Sequence, residues 1–118
     1  MTVFLRGFTR LRRNARVGNG LKYRALVSKA LLDLIPGFLR NRREEVESLR
    51  RALLTGDFDQ VRYLGHRMRG VGDSYGFEYV SILGRRLEQC GRERNVDHLG
   101  ELVADYADYL SNVRIEYA

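Results

Sequence analysis

Residues 57–76 read Asp57-Phe58-Asp59-Gln60-Val61-Arg62-Tyr63-Leu64-Gly65-His66-Arg67-Met68-Arg69-Gly70-Val71-Gly72-Asp73-Ser74-Tyr75-Gly76. Both ends of a helix are marked in this run. Asp57 stands at an N-cap with Gln60 three positions on, the form of a capping box. Gly76 is a stop signal beyond Ser74 or Tyr75. At about 100° per residue, Val61, Leu64, Met68, Val71 and Tyr75 fall within roughly an 80° arc, the face that seeks a core. His66 falls about 180° from the centre of that arc and is expected in water. Gly70 lies one turn further along the same outer face, and Arg62, Arg69 and Asp73 flank it.

An amphipathic helix of this kind needs neighbours, and the rest of the chain supplies them. Before it, Leu32, Leu39, Val46 and Leu53 recur every seventh residue, with Ile35 and Leu49 between them and Arg42 as the one polar exception. That stripe predicts a long helix from about residue 24 to 55, kinked or restarted at Pro36 and closed by Thr55-Gly56. After it, Val80, Leu83, Leu87 and Cys90 mark the inner face of a helix over roughly 77–92. Asn95 can cap a last helix striped by Leu99, Leu102, Val103, Tyr106, Leu110 and Val113. β-branched runs of period two are absent, so no strand is expected. Short connections make successive helices antiparallel. The expected fold is all-α, an antiparallel up-down four-helix bundle over 25–118, with residues 1–24 as an N-terminal basic extension or extra helix.

Length and charge narrow the function classes. The 118 residues suit one domain that can bury a core without staples. One cysteine, Cys90, allows no internal disulfide and suits a reducing compartment. With no long apolar run, neither a signal peptide nor a membrane span is expected, and the protein is expected in the cytoplasm. The formal charge of +6 is uneven. Residues 1–24 hold Arg6, Arg10, Arg12, Arg13, Arg16, Lys22 and Arg24 with no acid, a charge of +7. The other 94 residues hold 14 basic and 15 acidic groups. The high pI therefore describes an arm, and nucleic-acid binding by the bundle is not expected. Within the arm, Phe4, Leu5, Phe8 and Leu11 can share one face of a short helix, so it is expected to pack or to trail as a tail.

An exposed imidazole, whose ordinary pKa is about 6.5, is a nucleophile at neutral pH and can accept a phosphoryl group. A guanidinium such as Arg69 beside it can stabilise phosphoryl charge or dock a partner's acids. Mid-helix glycine costs about 1 kcal/mol against alanine, so Gly70 beside an exposed histidine makes sense if another protein must approach closely. Most surface histidines are idle, and Arg62 and Arg69 could equally be ordinary solvated charge. The position opposite the core and the adjoining glycine shift the reading of His66 towards function. Gly70, Gly72 and Gly76 lack the spacing and preceding strand of a phosphate-binding loop. His66, His98 and Cys90 are too far apart in sequence to signal a metal site, and Cys90 suits a small core position.

The run His66-Arg67-Met68-Arg69-Gly70, with Tyr75-Gly76 after it, resembles the signature of histidine-containing phosphotransfer (HPt) domains. Leu87-Glu88 also resembles the Leu-Glu pair that family places on its next helix, and the helix order agrees over about residues 27–114. The resemblance implies a phosphocarrier rather than a turnover enzyme. His66 would accept and donate a phosphoryl group in exchange with a receiver-domain aspartate, Arg69 would take the family's basic position and Gly70 the clearance position. Arg69 departs from the family's usual lysine, keeping the charge and changing donor geometry. Gly65 and Gly72 are additional glycines that would loosen the helix, and residues 1–24 are not explained by the family. No kinase ATP site and no bound cofactor are expected, with Mg²⁺ on the receiver partner. Expected partners are a response-regulator receiver domain, a hybrid sensor histidine kinase, or both, and the chain is expected to be a monomer. The alternatives are a non-catalytic helical interaction module and a nucleic-acid or membrane binder acting through the arm.

Overall fold

The structure, a computed structural model, describes residues 23–118. Four helices carry the fold: α1 (Ile35–Thr55), α2 (Phe58–Tyr75), α3 (Glu78–Glu93) and α4 (Val96–Asn112). They form the expected all-α four-helix bundle. The proposed helical face of Phe4, Leu5, Phe8 and Leu11 lies outside the described residues.

Local chemistry sets the helix ends. The Asp57 carboxylate accepts from the Gln60 N–H at 3.1 Å, and the Asn95 side chain accepts from the His98 N–H at 3.0 Å. The capping box is only half made, because the Asp57 N–H donates to the Ala52 carbonyl. Gly56 and Gly76 close α1 and α2 with φ of 71° and 89°. α3 ends instead on Arg94, a non-glycine residue with φ 56°.

The first helix does not begin near residue 24. Pro36 starts it, in the first turn where no N–H is needed. Ahead of it, Lys29–Leu34 forms a 3₁₀ segment whose start is fixed by the Ser28 hydroxyl accepting from Ala30 N–H. Earlier still, Arg24–Val27 is a strand, β1, parallel to β2 (Arg114–Tyr117), with Arg24 opposite Arg114 and Val27 opposite Tyr117. The bundle thus carries a two-stranded sheet that the sequence reading excluded. Leu32, assigned to the helical stripe, is 50% exposed, and Val113 lies past the end of α4.

The core holds the expected residues of α2, α3 and α4, including Val61, Leu64, Met68, Val80, Leu83, Leu87, Cys90, Leu102 and Tyr106. Two aromatic groups fill the end of the core where α1 and α3 begin and α2 and α4 finish. Phe38 stacks between Tyr75 and Phe77, and Tyr23, Tyr79 and Tyr109 pack together. Arg42, the polar break in the stripe, is buried. Its guanidinium lies over the Phe38 ring and donates to Glu45 at 2.9 Å, and the Tyr106 hydroxyl donates to the same carboxylate at 2.7 Å.

Helices α2 and α3 meet backbone to backbone. A Cβ at Gly65 would lie 2.5 Å from the Glu88 nitrogen, and one at Gly72 would lie 2.6 Å from the Ser81 nitrogen. From the other side, a Cβ at Gly84 would lie 2.6 Å from Met68 Cβ, and one at Gly91 would lie 2.7 Å from the Arg62 nitrogen. Gly65 and Gly72 are therefore contact points of a close helix pair, correcting the reading of them as loosening residues. Gly70 has open space where a Cβ would go. Gly84→Ala is expected to destabilise the fold by roughly 1–3 kcal/mol, the range for forcing an extra group into a packed contact. Gly70→Ala should stabilise it by about 0.5–1 kcal/mol. Urea unfolding of the two variants checks the contrast.

Candidate functional site

The close approach of α2 and α3 places one acidic side chain where it decides the site. Glu88 lies on α3 between Gly84 and Gly91, and its amide abuts Gly65, one residue before His66. Its side chain is only 10% exposed. One carboxylate oxygen, Oε2, lies 3.3 Å from His66 Nδ1, and the other accepts from Arg69 Nη1. Arg92, one turn along α3, adds a longer contact to Oε2 at 3.4 Å. Arg69 is fixed a second way, because its carbonyl accepts from the buried Ser81 hydroxyl at 2.7 Å.

His66 itself stands out from the bundle with 68% of its side chain exposed, the outward position its place on the wheel requires. An ionised carboxylate only accepts hydrogen bonds, so the neutral imidazole facing Glu88 carries its proton on Nδ1. The lone pair is then on Nε2, which has no hydrogen-bond partner among the described residues. Burial by itself would raise the Glu88 carboxyl. The hydrogen bond and charge of Arg69, followed by the hydrogen bond of His66 and the charge its ring carries when protonated, outweigh it and hold Glu88 below the usual carboxylate range.

Two shallow recesses flank the imidazole. One is lined by Asp59, Arg62, Tyr63, His66 and Glu88, the other by His66, Arg69, Gly70, Asp73 and Arg85. All four residues singled out from the sequence thus gather on one surface: His66 at its centre, Arg69 tied to Glu88, Gly70 exposed without a side chain, and Arg62 on the far rim. Sequence reasoning missed the part played by Glu88, and also Tyr63, a 55% exposed ring with the Arg67 guanidinium 5.7 Å away. The signal for Glu88 was present. Ser81, Gly84, Glu88 and Gly91 recur at helical spacing, a stripe of small residues interrupted by one acid.

Elsewhere, Cys90 is buried and its thiol donates to the Asn95 carbonyl at 3.1 Å. His98 is on the surface of α4, 3.6 Å from Glu101. Among the described residues no group of three or more His, Cys, Asp or Glu could hold a metal ion, and no helix is long and apolar enough to cross a membrane.

The bundle thus presents an outward histidine on its second helix, beside a glycine and an arginine. A family model for the Hpt domain matches residues 33–116, most of the chain. The chain belongs to the Hpt domain family, the histidine phosphotransfer modules of phosphorelays. Comparisons with curated proteins and with solved structures return no match.

Because Glu88 titrates lower in the folded chain than in the unfolded one, its cluster contributes stability above the ordinary carboxylate range of about 4.3. That contribution is lost as pH falls through the depressed folded value. Wild type should therefore exceed Glu88→Gln in stability at pH 7, with the gap closing on acidification below about pH 4. Urea titrations across pH 3–7 measure it; a gap independent of pH contradicts the ionic role.

Proposed function

We propose that this chain carries a phosphoryl group on Nε2 of His66 and exchanges it with a receiver-domain aspartate. The observation that carries the reading is the buried carboxylate of Glu88 beneath an exposed imidazole. It fixes the ring through Nδ1 and leaves the other nitrogen pointing at solvent.

In the accepting direction, the Nε2 lone pair forms a bond to the phosphorus of an aspartyl phosphate. The bond from phosphorus to the aspartyl oxygen breaks, and the carboxylate departs with the electron pair. The ring becomes a phosphorylated imidazolium that keeps its Nδ1 proton, and the negative Glu88 stabilises the charge that develops. The reverse transfer runs through the same steps. Arg69, held by Glu88 but 44% exposed, is placed to stabilise the phosphoryl oxygens. Gly70 leaves room for the incoming partner, and Arg62, Arg69 and Arg85 give it a basic rim that suits an acidic receiver surface. The Mg²⁺ that this chemistry calls on is assigned to the receiver side. A hybrid sensor kinase that carries its own receiver would use the same surface.

The test is incubation with a radiolabelled phosphorylated receiver or hybrid kinase, with His66→Gln as control. The expected label is acid-labile and base-stable, present on wild type and absent from the variant. Glu88→Gln should slow transfer roughly tenfold or more, the size of losing one hydrogen bond to a charged group. Label retained by His66→Gln would show the acceptor to be another residue. A chain that takes no label yet binds the receivers would be an interaction module.

A further inference from the structure

Among the described residues, strand β2 pairs along one of its edges. The Arg114 N–H donates to the Tyr23 carbonyl and the Ala118 N–H to the Val27 carbonyl, while the Ala118 carbonyl accepts from Lys29. In a parallel ladder alternate residues of each strand face the partner strand. Arg114, Glu116 and Ala118 therefore bond to β1, and the backbone N–H and C=O groups of Ile115 and Tyr117 point to the opposite edge. No backbone or side-chain group among the described residues meets them. A row of unpaired donors and acceptors on a strand edge is a template for another strand.

The same two residues line an apolar groove. The side chains of Ile115 and Tyr117 share it with Leu32 and Leu39, and its basic side is formed by Arg40 and Arg43. Leu32 and Tyr117 are 50% and 36% exposed, so much of this apolar surface faces solvent. Neither arginine has an acidic partner among the described residues. The groove shares no residue with the two recesses beside His66.

We infer that β2 and this groove form a second docking site, which takes an extended acidic segment of another protein as a third strand. The free edge supplies main-chain hydrogen bonds, the groove takes apolar side chains on alternate residues, and Arg40 and Arg43 select acids between them. Charge argues against the two occupants nearest to hand. Residues 1–22 carry six basic groups and no acid, so they would meet the two arginines with like charge. A second copy paired edge to edge would bring another Arg40 and Arg43 to the same rim.

The experiment uses the full chain labelled with ¹⁵N and, as probe, a fluorescein-labelled nonapeptide alternating aspartate with valine or isoleucine. The Ile115 and Tyr117 amides are expected to exchange quickly with solvent in the free protein. They should shift and become protected when the acidic peptide is added, and not when lysine replaces its aspartates. Arg40→Glu combined with Arg43→Glu should weaken peptide binding at least tenfold, read by anisotropy, with the thermal midpoint unchanged. Amides already protected in the free protein at every concentration would mean that its own residues 1–22 fill the groove. Protection that appears only as protein concentration rises would mean that a second copy does. Either result overturns the proposal, as does an acidic peptide that fails to bind, leaves these amides unchanged, or binds the double variant equally well.

Discussion

The contact between the backbones of α2 and α3 is the constraint from which the site follows. Gly65 and Gly72 on one helix and Gly84 and Gly91 on the other leave no room for a β-carbon. The helices can therefore approach more closely than side chains of ordinary size would permit. At that distance a glutamate on α3 reaches an outward histidine on α2. Glu88 leaves the core beside Gly65, spans the narrow seam and meets His66 and Arg69 near the surface. Ser81 pins the Arg69 carbonyl across the same seam. An alanine at these positions would move α3 outward, and the carboxylate with it.

The second polar anchor has a different character. Arg42, Glu45 and Tyr106 tie α1 to α4 inside the bundle, with both charges almost fully out of water. Such a pair gains little net stability over an apolar replacement, because desolvating the ions offsets their attraction. Removing one partner alone is costly, since the other stays buried and uncompensated. The ring of Phe38 beneath Arg42 and the Tyr106 hydroxyl on Glu45 complete the satisfaction of that network. The Glu88 cluster, by contrast, sits at the surface, where its use is to orient a ring and a guanidinium.

Most of the helical architecture was legible in the sequence, because it is written in local signals. Asp57, Asn95, Gly56 and Gly76 mark ends, and apolar residues at helical spacing mark faces. The outward placement of His66 and the open surface at Gly70 followed from the helical repeat alone. The small sheet did not, because each strand has four residues and its partner lies about ninety positions away. Leu32 completed a seven-residue repeat that Pro36 and the 3₁₀ segment interrupt, so the stripe was extended one turn too far. The glycines of α2 were read by propensity, which assigns them a cost. Their use lies in a contact with α3 that no single helix displays. Glu88 stood in a noted Leu-Glu pair, and only the packing of α3 on α2 turns it towards His66.

The proposed transfer depends on which nitrogen of His66 faces out. Long-range ¹H–¹⁵N correlation of the imidazole, before and after exposure to a phosphorylated receiver domain, addresses it directly. The expected result is the Nδ1–H form in the resting protein at neutral pH and a phosphorus–nitrogen coupling at Nε2 after transfer. A resting ring protonated on Nε2, or a phosphoryl group on Nδ1 or on another residue, would contradict it.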